Sequence, residues 1–256
     1  MEGREIHLVS FSGGKDSTAM LLRMIEEGFP IDEIIFLDTG KEFPGLYRHI
    51  DKVEKYINRK VTRLQNPKGL FDYWMFDHIL KKGKRKGQKG FGWPYFQLRW
   101  CTGHLKRDIA IKYKNTHYKN IKTIEYHGIA YDEPKRIKKI GDRGREIRYP
   151  LVDWKMTEKD CLKYCYDRGF DWEGLYEHFD RVSCWCCPLQ GLKDLKNLWK
   201  HYPELWIELK NMDERCKNEY AYGNSRFRSD YTLEELEKRF QREEENALLL
   251  ARMRLF

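Results

Sequence analysis

Residues 5–17 read Glu-Ile-His-Leu-Val-Ser-Phe-Ser-Gly-Gly-Lys-Asp-Ser, and this stretch decides the fold. Its apolar beginning predicts a buried strand, and from Thr18 to Glu27 apolar residues recur at helical spacing. The two adjacent glycines allow several backbone N–H groups to turn towards one point, where the start of the helix adds its positive end. The stretch therefore predicts a strand, a phosphate-binding loop and a helix. Its spacing is not that of a Walker A loop, which requires Gly-x4-Gly-Lys-Ser/Thr.

Strand and helix patterns continue to alternate after this unit. Residues 34–38 form a short apolar run typical of a buried parallel strand, and residues 44–57 place apolar side chains on one helical face. Strand, helix and strand patterns follow at 61–64, 105–113 and 123–130. The alternation predicts an α/β fold with a doubly wound, mostly parallel sheet.

The pattern changes near residue 180. From residue 191 onwards it is helical, and residues 233–255 are rich in Glu, Arg and Leu. We therefore expect a phosphate-binding α/β domain over residues 1–180 and a cysteine-containing, helical C-terminal region over residues 181–256.

Composition narrows the class of protein. The formal charge of +9 and the pI near 9.0 favour a polyanionic partner, which nucleic acid, a nucleotide or a sulfated or phosphorylated metabolite would each satisfy. No apolar run reaches the roughly 18 residues of a membrane span, and the N-terminus lacks a signal-like segment. We expect a cytoplasmic protein that does not enter a membrane, and its oligomeric state is left open. In that reducing compartment seven cysteines favour metal binding over disulfides.

Four ordered motifs indicate a family. Ser-Phe-Ser-Gly-Gly-Lys-Asp-Ser at 10–17 resembles the signature of the PP-loop ATP pyrophosphatases, in the branch that contains phosphoadenosine phosphosulfate (PAPS) reductases. The segment 37–43 resembles the Asp-Thr-Gly motif of that branch, 99–106 its Arg-x-Cys…Lys motif, and 149–154 its Pro-x-x-Asp-Trp motif. The likeness extends from residue 5 to about residue 190. It implies that the domain over residues 1–180 binds a nucleotide.

The resemblance implies roles for the residues of the loop. Asp16 and Asp38 would hold Mg²⁺ near the phosphates, and Lys15 would add positive charge. The turn Asp38-Thr39-Gly40 would lie at the ribose or the adenine edge, at the carboxyl ends of the strands. The phosphate contacts would come from Ser12, Gly13, Gly14, Ser17 and Thr18.

A second loop, from Gly128 to Arg136, resembles the family motif Gly-x-Arg-x-x-Glu-Ser-x-x-Arg. Ala130 replaces its first arginine, whereas Glu133 and Arg136 match and become active-site candidates beside Gly128. The alternative interpretation is a charged loop that faces solvent.

The cysteine spacing predicts a metal centre. Cys-x-x-Cys followed by proline is a compact hairpin in which two thiolates can face one metal. The pattern resembles the ligand set of the 4Fe-4S cluster in adenylylsulfate (APS) reductases, except that the usual first cysteine pair is a single cysteine here. Zn²⁺ is the competing metal, with His104 as an alternative ligand, and metal-free thiols are the third interpretation. Cys161 and Cys165 are better explained as core residues. The candidate ligands are Cys101, Cys184, Cys186 and Cys187.

Two features of the resemblance favour ATP over APS or PAPS as the substrate. The reductases attack sulfur with a cysteine in a tail motif Glu-Cys-Gly-x-His, and no cysteine follows Cys216 in this sequence. Their phosphate loop is also often degenerate, whereas Ser12 to Ser17 match the full motif. We therefore expect an ATP-dependent adenylating enzyme that forms AMP and pyrophosphate. The alternatives are an APS or PAPS reductase and a nonenzymatic nucleotide-binding, metal-stapled module.

Sulfur transfer is the expected second step, with a sulfur donor such as a cysteine desulfurase. In the sulfur-handling relatives the acceptor is a tRNA base or the DNA backbone, and a metabolite is the other option. The segment 81–89 carries six basic and no acidic residues and would contact phosphates, with Trp93, Tyr95 and Phe96 beside it. A solvated basic surface is the plainer interpretation. Further basic residues are Lys135, Arg136, Lys138, Lys139, Arg143, Arg145 and Arg148.

Overall fold

A computed structural model describes residues 4–137, 145–219 and 225–253. Lys138, Lys139 and Arg143 lie outside the described residues, as does the side chain of Arg145. The chain forms two compact units. The first unit comprises Met1–Phe71 and Cys101–Cys184, and the second comprises Asp72–Trp100 and Trp185–Phe256. This division differs from the expected boundary near residue 180 mainly because residues 72–100 join the second unit.

The first unit is built on a five-stranded parallel sheet, which confirms the predicted fold class. The strand order is β3-β2-β1-β4-β5, so the chain winds outwards in both directions from β1. In such sheets ligands bind at the carboxyl ends of the strands, where the winding direction reverses. The strands are β1 (Glu5–Ser10), β2 (Glu33–Leu37), β3 (Thr62–Leu64), β4 (Lys122–His127) and β5 (Arg145–Arg148).

Helices cover this sheet. They are α1 (Lys15–Glu26), α2 (Pro44–Ile57), α3 (Asp108–His117), α4 (Pro150–Asp153), α5 (Glu158–Tyr166) and α6 (Leu175–His178). The predicted helix at 105–113 is a π-helical turn, Thr102–Arg107, that continues into α3. α1 packs against α5, where Cys161 and Cys165 are fully buried, as predicted for core residues. Packing against α5 therefore holds α1 in the first unit. The N-terminus of α1 follows the phosphate loop directly.

The second unit contains α7 (Leu192–His201), α8 (Pro203–Glu219) and α9 (Leu233–Met253). Its core is fixed by Asp213 on α8, which is 2% exposed. Asp213 Oδ1 accepts hydrogen bonds from Trp93 Nε1 at 3.0 Å and from the backbone N–H of Phe227 at 2.7 Å. Asp213 Oδ2 lies 2.8 Å from Lys217 Nζ. One buried carboxylate therefore joins two loops to α8.

The basic segment 81–89 lies in an anchored hairpin. Ile79 and Lys89 form an antiparallel bridge, and the backbone N–H of Leu80 donates to the Gln88 carbonyl oxygen at 2.9 Å. The backbone N–H of Gly90 donates to the His78 carbonyl oxygen at 2.7 Å. The hairpin returns the chain towards Trp93 in the core of the second unit. Within the described ranges, no helix combines the length and the apolar content that crossing a membrane requires.

Asp213→Ala is expected to lower the free energy of unfolding by about 2–4 kcal/mol, because two buried N–H donors lose their acceptor. Denaturant titration followed by tryptophan fluorescence measures this loss. Glu214→Ala is the matched control, since Glu214 is an exposed neighbour on the same helix. Equal stability of the two variants would contradict the structural role assigned to Asp213.

Candidate nucleotide-binding site

The phosphate loop joins β1 to α1 and is closed by its own serines. Ser17 Oγ donates to the Gly14 carbonyl oxygen at 3.1 Å and accepts from the backbone N–H of Ser12 at 3.1 Å. Ser12 Oγ lies 3.0 Å from Ser17 Oγ and accepts from the Gly14 N–H at 3.4 Å. Gly13 has a φ of +76°, which glycine adopts without strain. The predicted loop residues therefore lie together, and α1 begins at Lys15 immediately after them.

Two aromatic side chains hold the loop from outside. Trp172 Nε1 donates to the Gly13 carbonyl oxygen at 2.7 Å, and the Tyr176 hydroxyl accepts from the backbone N–H of Lys15 at 2.7 Å. Burial raises the pKa of Tyr176, so its hydroxyl stays protonated. The sequence analysis missed both residues, which lie 159 and 161 positions from their partners. A single sequence carries no signal for contacts at that separation.

The second loop meets the first through Gly128, which follows β4. A Cβ atom at this position would lie 2.8 Å from Ser17 Cα and 2.9 Å from Ser17 N. Backbone atoms that close leave no room for a side chain, so a glycine is required here. The prediction that Gly128 belongs to the site thus has a geometric basis, because this residue sets the distance between the two loops.

Charged side chains surround the first turn of α1. Lys15 is 5% exposed, forms an ion pair with Glu158 and lies with its Nζ 3.6 Å from Asp16 Oδ1. Glu133 and Arg136 form an ion pair with each other, and both charges act on Asp16. The structure therefore brings together all four predicted catalytic residues, and it adds Glu158, which the sequence analysis missed.

Asp16 carries an unusual oxygen. Its Oδ1 is buried and accepts no hydrogen bond from the described residues. Burial raises the pKa of Asp16 to about 6; Lys15 opposes the rise, and Glu158 and Glu133 add to it. A buried carboxylate oxygen without a donor is costly, and a cation would relieve that cost. Mg²⁺ uses one or two carboxylates together with substrate phosphates, so Asp16 fits the predicted magnesium ligand.

Asp38 is already hydrogen-bonded at both oxygens. Oδ1 accepts from the Gly40 N–H at 2.8 Å and from the Tyr47 hydroxyl at 2.7 Å, and Oδ2 accepts from Gln65 Nε2 at 2.7 Å. Gly40 has a φ of +81°. This geometry favours Asp38 as the residue that shapes the turn after β2, rather than as the second magnesium ligand that we predicted.

Thr39 and Glu42 form a buried polar pair at this turn. Thr39 Oγ1 donates to the Glu42 carboxylate at 2.9 Å, and its backbone N–H donates to the same group at 3.2 Å. The hydroxyl of Thr39, a residue of the predicted nucleotide-binding turn, thus bonds to a neighbouring side chain. Cys184 Sγ lies 3.4 Å from Thr39 Oγ1 and 3.6 Å from Glu42 Oε1.

Thr18 is fully buried, contrary to its predicted contact with phosphate. Its hydroxyl lies 3.0 Å from His49 Nε2, and the His49 ring stacks on Trp172 with centroids 4.3 Å apart. Burial lowers the pKa of His49 to about 3, so the ring is neutral. Thr18 therefore anchors α1 to α2 instead of facing the loop opening, because the second position after Asp16 turns inwards on the helix.

The predicted cysteine centre is not assembled in the described part of the chain, where no three His, Cys, Asp or Glu side chains could hold one metal ion. The candidate ligands divide between the units: Cys101 and Cys184 belong to the first, and Cys186 and Cys187 to the second. None forms a disulfide, and Cys186 is fully buried. The described residues therefore give no support to a 4Fe-4S cluster or a tetrahedral Zn²⁺ site, and the cysteine centre stays a prediction.

Asp16→Asn is expected to stabilise the ligand-free protein at pH 7–8 by about 1–3 kcal/mol. The raised pKa means that ionisation of Asp16 opposes folding above pH 6, a penalty that develops between pH 3.8 and about 6 and is absent below that window. Thermal unfolding at pH 4 and pH 8 measures the difference, which should be small at pH 4, near the lower edge of that window. Asp167→Asn, at a carboxylate with a side chain 54% exposed, is the control. A gain that is equal at both pH values would contradict this account.

Comparisons with known proteins concern the fold and the segment that contains the phosphate loop. The family model described as the phosphoadenosine phosphosulfate reductase domain matches residues 6–76, which span β1, the loop, α1 and the Asp38 turn. The fold resembles that of a PAPS reductase from Candida auris, solved as a phosphate complex. That similarity covers 70% of this chain and 81% of the reductase, with a TM-score of 0.50 and 15% identity.

Three curated relatives, all described as uncharacterized, are more similar in sequence. Two are proteins of Methanocaldococcus jannaschii. One is 24% identical, over 84% of this chain and 43% of the relative. The other is 28% identical, over 78% of this chain and 46% of the relative. The third is a nin region protein of Escherichia phage lambda, 32% identical over 65% of this chain and 61% of the relative. The chain thus spans about half the length of the curated relatives it matches.

The segment 6–76, which matches the family model, contains the phosphate loop. It forms part of a parallel α/β fold similar to that of a PAPS reductase. The chain therefore contains a segment similar to the PAPS reductase domain, within a fold similar to that of a PAPS reductase.

Proposed function

We propose that the chain binds ATP at the Ser12–Ser17 loop and is an adenylating enzyme that releases pyrophosphate. The observation that carries the proposal is Asp16 Oδ1, a buried carboxylate oxygen without a hydrogen bond, beside Lys15 at the N-terminus of α1. A site that needs only a neutral or singly charged ligand has no use for an unsatisfied carboxylate. A polyphosphate that arrives with a divalent cation satisfies the carboxylate and the helix end together.

The loop would act on the leaving pyrophosphate. An acceptor oxygen attacks the α-phosphorus of ATP and forms a new P–O bond, while the bond from that phosphorus to the bridging oxygen of the β-phosphate breaks. The bonding electrons leave with pyrophosphate, whose growing charge faces Lys15 and the N–H groups of the loop. Mg²⁺ bound at Asp16 would supply further neutralising charge. Trp172 and Tyr176 hold the loop in place beforehand, so little reorganisation is needed.

The net charge around Asp16 would also depend on Glu133, Arg136 and Glu158. In the ligand-free chain three carboxylates and two cations lie at the first turn of α1. The carboxylates are Asp16, Glu133 and Glu158, and the cations are Lys15 and Arg136. That balance favours a ligand that brings its own cation. Arg136, held by Glu133, stands at the second loop and is the cation we assign to the nucleotide phosphates.

Sulfur transfer is the second step that we propose. The terminal sulfur of a donor persulfide, such as that of a cysteine desulfurase, would attack the carbon of a nucleic acid or metabolite that bears the AMP oxygen, and the carbon–oxygen bond breaks as AMP leaves. A second thiol would then attack the inner sulfur of the donor, so that the S–S bond breaks, the acceptor keeps the terminal sulfur as a thiolate and the two thiols are oxidised to a disulfide. The support is the match to a reductase domain whose named substrate is an activated sulfate nucleotide. No step is assigned to a 4Fe-4S cluster or to Zn²⁺, since the described cysteines form no assembled ligand set.

The same match favours a second candidate, a reductase-type site that binds PAPS. The two functions differ in the ligand that the loop prefers. ATP presents a pyrophosphate to the loop and requires a divalent cation, whereas a sulfonucleotide presents fewer charges and no leaving pyrophosphate.

Lys15→Ala and Asp16→Asn are expected to lower pyrophosphate release from ATP at least about 100-fold. The first removes a cation that faces the leaving group, and the second removes the carboxylate proposed to hold Mg²⁺. The assay measures pyrophosphate with MgATP in the presence of total tRNA, DNA oligonucleotides or no acceptor. Matched controls are Lys163→Ala and Asp167→Asn, at exposed positions on and just after α5. Circular dichroism checks that each variant is folded.

Two results would contradict the proposal. One is the absence of pyrophosphate with every acceptor although calorimetry shows that ATP binds. The other is calorimetric binding of PAPS without Mg²⁺ at an affinity at least tenfold above that of MgATP, which would favour the reductase-type site.

A further inference from the structure

The second unit contains an open cavity of about 720 Å³ that the nucleotide site does not use. This volume lies within the roughly 300–1,000 Å³ typical of sites for small ligands. Aromatic and arginine side chains share its lining with small polar residues. The lining comes from two loops and the residues after the Cys-x-x-Cys motif, namely 93–97, 188–189 and 225–230.

The cavity is held rigidly. Trp93 and Phe227 meet edge to face with centroids 4.9 Å apart, and Asp213 accepts a hydrogen bond from each of them. Arg228, which also lines the cavity, forms a two-bonded ion pair with Asp230, at 2.7 and 2.8 Å, and its Nη1 donates to the Gln190 carbonyl oxygen at 2.8 Å. Both parts of the lining are therefore fixed by buried or bidentate contacts before any ligand binds.

A tight turn presents an aromatic ring at the edge of the cavity. Tyr95 and Leu98 pair across the turn through hydrogen bonds of 3.0 and 3.3 Å, which leaves Phe96 and Gln97 at its tip. Phe96 is 78% exposed. A phenyl ring held in water on a fixed turn gains nothing for folding, and it offers a flat face on which a planar ring can stack.

Positive charge accompanies this ring. Arg226 lines the cavity, is exposed and makes no ion pair with any residue that the structure describes. The basic hairpin at 81–89 ends four residues before Trp93 and therefore leads directly into the cavity wall.

We propose that this cavity binds single-stranded nucleic acid, with one base on Phe96, polar contacts from Gln97 and a backbone phosphate at Arg226. Binding of single-stranded nucleic acid does not depend on the proposed reaction with ATP. Its role as the site for the sulfur acceptor rests on that function, which it deepens by naming the class of acceptor.

A single strand fits better than a duplex. The turn offers one ring at the rim of a concave site, and a base that is stacked and paired within a duplex cannot reach it. A cavity of about 720 Å³ also accommodates one or two splayed nucleotides but not a double helix. The six basic residues of the hairpin would contact neighbouring phosphates along the strand.

Fluorescence anisotropy with the full chain tests the proposal. The probes are fluorescein-labelled oligonucleotides of twelve uridines or twelve thymidines and a twelve-base-pair duplex, titrated at several salt concentrations. Phe96→Ala is expected to weaken single-strand binding at least about fivefold, because one stacked base is lost. Arg226→Ala is expected to lower the slope of log affinity against log salt by about 0.7, the value of one phosphate contact on a single strand.

Matched controls are Ile207→Ala and Arg242→Ala, at exposed positions on α8 and α9 of the same unit. They should leave binding and its salt slope unchanged. The proposal is overturned if the single strands do not bind, if the duplex binds as tightly, or if Phe96→Ala behaves like Ile207→Ala. Failure of this kind leaves pyrophosphate release from ATP unaffected, whereas failure of the proposed function leaves oligonucleotide binding intact, so the two outcomes are distinguishable.

Discussion

The contact between Gly128 and the first turn of α1 is the constraint on which the first unit depends. β4 lies beside β1 in parallel, so the chain leaving β4 must pass the start of the helix that follows β1. A Cβ atom at Gly128 would lie 2.8 Å from Ser17 Cα. Because only a bare backbone fits there, the two loops share one small space, and Glu133 and Arg136 come within electrostatic reach of Asp16. The close contact of the two loops therefore determines which charged side chains surround Asp16.

Local patterns were enough to predict the fold, and they named residues that the structure brings together at the candidate site. The strand before Ser12 and the helix after Lys15 each have a periodicity that is visible within a dozen residues, and the parallel sheet follows from their repetition. The matched family domain covers that same stretch. Asp16, Lys15, Glu133 and Arg136 could be named from motifs, because each motif lies in a loop whose position the sheet determines.

What the sequence could not supply are contacts at long separation and the direction in which individual side chains face. Trp172, Tyr176 and Glu158 reach the loop from more than a hundred positions away, and no local pattern marks them. Thr18 was predicted to face the ligand, yet the helix turns its hydroxyl towards His49. The cysteine spacing predicts a metal centre, yet no three such donors meet among the residues that the structure describes, because spacing along the chain does not determine which donors meet in space.

The buried oxygen of Asp16 makes the loop a place where a proton and a metal ion compete. Below pH 6 the carboxyl holds its own proton and presents a neutral surface, and above it the same atom is an unsolvated anion. Taking up a cation near this threshold therefore expels a proton to solvent, so cation affinity and acidity are thermodynamically linked. Modest acidification of the surroundings would thus loosen the hold of the loop on any ligand that depends on that ion, without any change in the backbone.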